Sequence, residues 1–253
     1  ERRLEAFARW RLTLEPGKQF TYHPVAGHWV LAEIIGEVTG LPYVEAIESM
    51  VTGPLGLPRV LGIPTDQRDG ILETVGVGDV PTPAEMLESF GVEVDLATLT
   101  PPDVALNALL SLNDPEAQAL GVPGGGGVLR AADLALLYQA FLHDPAGLWS
   151  PDVLAVGTRE IRCDLPDMMG VASNRTLGLI VAGDDGLGHL RGFGKTSSPL
   201  AFGHRGAGGQ LASADPASGL SIGYVTAGLD QHLIRQNRRD TAIASLAYDL
   251  LAE

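Results

Sequence analysis

The sequence predicts an α+β fold in which an antiparallel sheet is flanked by helices and a largely helical region lies beside it. Three observations support this. Helical periodicity dominates residues 1–175, short β-prone runs joined by turn residues occur only in residues 176–253, and an amphipathic helix closes the chain. The 253 residues are 45% hydrophobic and 19% charged, which is typical of a folded chain with a buried core. We therefore interpret 1–175 and 176–253 as two parts of one domain.

The helical part opens with a short amphipathic helix over residues 2–10 and a turn at 15–17. The strongest helical pattern follows, because Pro24 suits a first turn and Gly40 is a helix stop. One face of this helix carries a continuous apolar stripe. Its members are Val30, Leu31, Ile34, Ile35 and Val38.

Further helices are predicted over 43–51, 84–90, 102–112 and 131–142, and residues 57–83 are predicted to be mainly loop because Pro, Gly and Asp are frequent there. Four consecutive glycines at 124–127 indicate a turn, which we favour over a role in contacting substrate.

The later part is predicted to contain strands at 176–181, 210–214 and 220–226. The last two are separated by Asp215, Pro216, Ala217, Ser218 and Gly219, a five-residue hairpin connection. A helix is predicted over 231–251.

Charge and composition exclude several classes of partner. The formal net charge is −14 and the only lysines are Lys18 and Lys195, which argues against binding nucleic acid or an anionic membrane. No apolar run approaches the roughly 18 residues of a membrane-spanning helix. Cys163 is the single cysteine, so neither an internal disulfide nor a thiolate cluster is expected, and we predict no metal and no cofactor. The compartment stays open, with the cytoplasm favoured.

Three segments resemble motifs of one enzyme family. The run Glu15-Pro16-Gly17-Lys18-Gln19-Phe20-Thr21-Tyr22 is similar to the PGxxFxY segment of serine hydrolases related to class C β-lactamases. Residues 53–57, Gly-Pro-Leu-Gly-Leu, resemble the PLGM turn of that family. Residues 203–209, Gly-His-Arg-Gly-Ala-Gly-Gly, resemble its GHxGxGG segment. The chain is thus similar to the serine β-lactamase and penicillin-binding-protein family, whose fold is the α+β fold predicted above.

The resemblance implies roles for four residues. Tyr22 would be a general base beside a serine nucleophile, and His204 would support the electrostatics of the pocket in place of lysine. Gly206 would let the substrate approach the strand edge, and the N–H of Ala207 would be an oxyanion donor.

Two features depart from the family pattern. No serine of the chain has a lysine three positions later, so the Ser-x-x-Lys element is absent. In the family this element precedes the tyrosine motif, and we expect it, together with the first strands of the sheet, in a segment upstream of residue 1. Pro24 stands where penicillin-recognising members usually carry asparagine, and esterase-type members commonly relax that position.

The resemblance favours a serine-dependent carboxylic-ester hydrolase acting on a small acyl substrate. A D-alanyl-D-alanine carboxypeptidase or β-lactamase is the first alternative, and a non-catalytic ligand-binding relative is the second. Without the Ser-x-x-Lys dyad, the chain as given is expected to form no acyl-enzyme. The strand at 220–226 would lack its neighbour and leave an unpaired edge through which the chain could associate.

Overall fold

The computed structural model describes residues 2–91, 93–96, 100 and 105–250, and its central feature is a four-stranded antiparallel sheet between two helices. The helices are α1 (Arg2–Ala8), α2 (Ala26–Thr39), α3 (Tyr43–Ile47), α4 (Pro83–Phe90), α5 (Leu106–Leu110), α6 (Pro115–Leu120), α7 (Ala131–His143), α8 (Pro151–Thr158) and α9 (Leu233–Asp249). The strands are β1 (Val75–Val77), β2 (Ile180–Val181), β3 (Phe202–Gly206), β4 (Gln210–Asp215), β5 (Leu220–Tyr224) and β6 (Gly228–Asp230). The predicted α+β class is confirmed.

The main sheet has the order β2-β3-β4-β5, and each neighbouring pair is antiparallel. On the β3–β4 ladder, His204 lies opposite Ala212 and Gly206 opposite Gln210. A separate parallel pair joins β1 to β6. The ladder fixes which side of the sheet each residue of β3 faces, since successive side chains point to opposite faces.

The two faces of the sheet have separate cores. On one face Tyr138 of α7 packs with Phe202, Ala212 and Ala214. On the other face Leu211 packs with Ala244 and Tyr248 of α9. His204 alternates with Phe202 and so shares the α7 face, whereas Arg205 shares the α9 face.

Helix α2 ends as the sequence predicts, with Gly40 in the left-handed conformation at φ 69°. Its apolar stripe, however, is not buried among the described residues. Leu31 is 50% exposed, Ile34 51% and Val38 80%. The inward side of the helix is instead the side of Ala32, and Trp29 meets Tyr43 of α3 edge-on. Most of the stripe is therefore open to solvent in this part of the chain.

The predicted strand at 176–181 is shortened to Ile180–Val181 because residues 176–179 form a turn. The Thr176 hydroxyl accepts a hydrogen bond from the Leu179 N–H, and the Thr176 N–H donates to the Leu179 carbonyl oxygen. The predicted strand at 220–226 is Leu220–Tyr224, and its outer edge has no strand partner within the described ranges.

Three helix predictions need adjustment. Helix 43–51 is observed as α3 followed by a π-helical turn over Glu48–Thr52. The predicted helix 102–112 is observed as α5 followed by a 3₁₀ turn at Ser111–Asn113, and its first residues, 102–104, lie outside the described residues. The last helix, predicted over 231–251, is observed as α9, and residue 251 lies outside the described residues. Helices α6 and α8 were not predicted. Across the described residues, none of the helices has both the length and the apolarity needed to span a membrane.

Candidate active site

The fold brings Tyr22 and His204 together from opposite parts of the chain. Tyr22 lies in the loop that precedes α2, and His204 lies on β3. Their rings stack, with centroids 6.2 Å apart and planes inclined by 23°. The two side chains that the motifs single out thus form one cluster, although the sequence separates them by most of the chain.

The position of Tyr22 depends on a close backbone contact with the glycine run. Pro24 is buried, and Gly124 has φ +85°. A Cβ atom on Gly124 would lie 2.1 Å from the Pro24 carbonyl oxygen and 2.8 Å from His28 Nδ1. Only glycine fits both the backbone conformation and this contact. The turn at 124–127 therefore braces the segment that carries Tyr22.

Arg175 is the third member of the cluster, and the sequence analysis did not identify it. Its Cζ atom lies 5.2 Å from the centroid of the Tyr22 ring and 5.3 Å from that of the Phe20 ring. Its Nη1–H donates to His204 Nε2 over 2.9 Å. Arg175 is held by isolated β-bridges to Cys163 and Ile180, beside the start of β2. A single arginine outside any motif gives no signal of this placement.

The hydrogen bonds of His204 define its protonation. Since a guanidinium can only donate, Nε2 accepts, and the proton is assigned to Nδ1, which donates to the Arg205 carbonyl oxygen over 2.5 Å. Burial, and then the nearby Arg175 charge, lower the pKa of His204 to about 4. His204 is therefore neutral at pH 7, and the positive charge beside Tyr22 belongs to Arg175.

Arg175 keeps its charge despite being partly buried. Burial lowers the pKa of Arg175, whereas attraction to Tyr22, Cys163 and Asp167 raises it. Arginine stays protonated at any ordinary pH because its intrinsic pKa is above 12. Its Nε atom is buried and has no hydrogen-bond partner among the described residues.

The other face of β3 is anchored to α9. The Arg205 guanidinium donates to Asn237 Oδ1 over 2.9 Å and to the Leu190 carbonyl oxygen over 2.8 Å. A Cβ atom on Gly192 would lie 2.4 Å from Arg205 Cγ, so the arginine passes directly over that glycine. These contacts fix the strand that presents His204 to the cluster.

Gly206 and Ala207 lie at the end of β3, and both are exposed. A Cβ atom on Gly206 would lie 2.7 Å from Gln210 Cβ, so a larger residue there would displace Gln210. The Gln210 amide both donates to and accepts from the Thr226 backbone, which fixes this end of the hairpin. Among the described residues, nothing accepts a hydrogen bond from the Ala207 N–H. The oxyanion role of Ala207 stays a prediction, as do the roles of Gly206, Tyr22 and His204.

A metal site is not evident in the part of the chain that the structure describes, where no three His, Cys, Asp or Glu side chains are placed to hold an ion. The Arg175 guanidinium, a neutral imidazole and a phenol are instead suited to moving a proton and stabilising negative charge.

Comparison with known proteins identifies the family and the fold of the chain. A family model described as Beta-lactamase matches residues 1–245. No curated protein matches the chain. Among solved structures, EstA from Arthrobacter nitroguajacolicus Rue61a has a TM-score of 0.69 and 21% identity, with 98% of this chain and 65% of EstA covered.

Two further solved structures show the same fold. A penicillin-binding-protein homologue from Caulobacter crescentus has a TM-score of 0.66 and 21% identity, with 96% of this chain and 63% of that protein covered. A family VIII carboxylesterase has a TM-score of 0.65 and 24% identity, with 91% and 60% covered. The chain thus spans less than two thirds of the length of these three proteins.

Proposed function

The chain belongs to the β-lactamase family, and on this premise we propose that the complete protein is a serine hydrolase that cleaves carboxylic esters through an acyl-enzyme. The observation that carries the proposal is the stacking of Tyr22 on His204 with Arg175 against both. A base, an oriented imidazole and a fixed cation at the end of a strand are the elements that acyl transfer to a serine requires.

The proposed reaction has two halves. A serine hydroxyl outside these 253 residues attacks the ester carbonyl carbon while Tyr22 takes its proton, and the Ala207 N–H stabilises the oxyanion. Collapse expels the alcohol, which receives the proton from Tyr22. Water then attacks the acyl-enzyme, and its proton passes through Tyr22 back to the serine oxygen, releasing the carboxylic acid.

Pro24 favours an ester over a β-lactam or a peptide as substrate. It is buried and its carbonyl oxygen lies against Gly124, so this position offers no side-chain amide to hydrogen-bond a peptide-like substrate. The likeness of the fold to a family VIII carboxylesterase is consistent with this choice.

The test compares the complete protein, made from the coding sequence that includes the region upstream of residue 1, with the 253-residue chain. Short-chain nitrophenyl esters and nitrocefin serve as substrates, and a fluorophosphonate probe reports a reactive serine. We expect ester hydrolysis and stoichiometric labelling by the complete protein and neither by the 253-residue chain. Tyr22→Phe keeps the stacked ring and removes only the hydroxyl, so kcat should fall roughly 10²–10⁴-fold. Tyr224→Phe, on β5, is the matched control and should retain activity.

The outcomes separate the hypotheses. Preferential cleavage of nitrocefin would indicate a β-lactamase or peptidase instead of an esterase. Absence of both hydrolysis and labelling in the complete protein would leave a non-catalytic binding relative. Labelling of the 253-residue chain itself would show that the nucleophile lies within it and would overturn the proposed location of the serine.

A further inference from the structure

We propose that Arg175 is the positioning residue of this site, which stabilises the phenolate form of Tyr22 and holds His204 neutral with its Nε2 atom turned to the guanidinium. The inference deepens the proposed function and depends on it for its catalytic meaning. It assigns a role to a residue that belongs to none of the motifs in the sequence.

The first support is the geometry of charge around Tyr22. The Arg175 Cζ atom lies 5.2 Å from the Tyr22 ring centroid, so a positive charge lies over the ring that would carry the phenolate charge, and a nearby positive charge favours the ionised phenol. The attraction is mutual, since ionised Tyr22 raises the pKa of Arg175. The cation that contacts the Tyr22 ring comes from the segment before β2.

The second support is that His204 cannot supply this charge. Its Nε2 atom accepts from Arg175 and its Nδ1–H donates to the Arg205 carbonyl oxygen, so both ring nitrogens are used in the neutral form. Protonating Nε2 would place two donors against each other. The neutral His204 ring can therefore stack on Tyr22 while its Nε2 atom accepts the hydrogen bond that positions the Arg175 guanidinium.

The third support is the surroundings of the guanidinium. The Arg175 guanidinium lies against the Tyr22 and Phe20 rings, and its buried Nε atom has no hydrogen-bond partner in the described residues. Arg191, by contrast, donates to the backbone carbonyls of Ala172 and Ala182 and to the Asp185 carboxylate.

Other titratable groups also act on the cluster and must be accounted for. The charges that act on Arg175 or His204 are those of Tyr22, Cys163, Asp167, Arg205 and His28. Of these, Arg205 is tied to Asn237 and Leu190 on the opposite face of the sheet. Replacing Arg175 therefore removes the cation that contacts Tyr22 and leaves the remaining groups in place.

The test measures the ionisation of Tyr22 in the 253-residue chain by NMR of ¹³Cζ-labelled tyrosine, with Tyr22→Phe identifying its signal. In Arg175→Gln the acid dissociation constant of Tyr22 should fall roughly tenfold or more, and Arg175→Lys should restore part of it. In Arg175→Gln the pKa of His204 should rise above the value of about 4 that it has in the unmodified chain. The matched control is Arg162→Gln, an exposed arginine of the same segment that pairs with Glu160. It should change neither value.

A Tyr22 ionisation that is the same in the unmodified chain and in Arg175→Gln would overturn the inference. Arg175→Met is a second neutral variant if the glutamine variant does not fold. In the complete protein, Arg175→Gln should lower kcat, change KM little and move the limb of the pH–kcat/KM profile that reports Tyr22 to higher pH. An inactive complete protein with a shifted Tyr22 titration would remove the proposed function and keep the electrostatic role. An active complete protein whose Tyr22 titration is unchanged in Arg175→Gln would support the proposed function and refute the electrostatic role of Arg175.

Discussion

Replacing His204 by glutamine should make the stability of the chain less sensitive to acid. Histidine outside the fold titrates at 6.5, whereas in the folded chain burial and Arg175 lower the His204 pKa to about 4. Between these values the unfolded chain binds a proton that the folded chain does not. Stability from the neutral ring is therefore complete above pH 6.5 and is lost as the pH falls towards 4.

The magnitude follows from the two pKa values. Lowering the pH from about 8 to about 5 should reduce the free energy of unfolding by about 2 kcal/mol through His204 alone. Glutamine does not titrate, and its amide oxygen can still accept a hydrogen bond from Arg175. The variant should therefore lose about 2 kcal/mol less than the unmodified chain over the same interval.

Urea denaturation at the two pH values measures this difference. His23→Gln is the matched control, because His23 is exposed and lies in the loop next to Tyr22. It should show the same pH dependence as the unmodified chain. If His204→Gln also loses as much stability on acidification as the unmodified chain, the neutral, Arg175-bonded state of His204 is refuted.

Three further outcomes are expected. Ser213 Oγ and Tyr248 OH share a buried hydrogen bond of 2.7 Å. Ser213→Ala or Tyr248→Phe alone should lower the free energy of unfolding, measured by urea denaturation, by about 1–3 kcal/mol. The double variant should lose less than the sum of the two, because it leaves neither hydroxyl without its partner. The Arg191 guanidinium donates to two backbone carbonyls and pairs with Asp185. Arg191→Gln should therefore lower the free energy of unfolding by about 3 kcal/mol. A loss below about 0.5 kcal/mol in thermal or urea denaturation would contradict this. The outer edge of β5 should let the 253-residue chain self-associate, so its sedimentation coefficient should rise with concentration, and a constant monomeric value would contradict the expectation.

Local chemistry determined the helix ends that the sequence predicted well. Gly40 ends α2 in the left-handed conformation, which nearly all other residues avoid. The two missed helices also have local signals. Asp114 and Ser150 cap α6 and α8, each followed by proline at the first helical position. Hydrophobic periodicity does not predict these helices because they are only 6 and 8 residues long.

Burial was harder to predict than helix formation. The stripe on α2 is apolar, but whether it becomes core depends on what packs against it, and in the described residues that face is open. The strand before Ile180 was overestimated for a related reason. Alternation of residues favours a strand, yet a single threonine hydroxyl bonded to the Leu179 N–H is enough to form a turn.

The site shows the same division between local and long-range information. Tyr22 and His204 could be singled out because each lies within a recognisable run of residues, and the stacking of their rings agrees with the grouping. Arg175 could not, because its relation to them arises only when the turn at 176–179 and the bridges to Cys163 and Ile180 place its guanidinium against both side chains. It follows that the motifs alone do not determine the protonation of this site. A relative that kept the tyrosine and histidine but carried a neutral residue at the position of Arg175 would have a phenol without an adjacent cation and a histidine free to protonate near pH 6.5. Such a chain would be expected to differ from this one in the pH range of its activity even if every motif residue were the same.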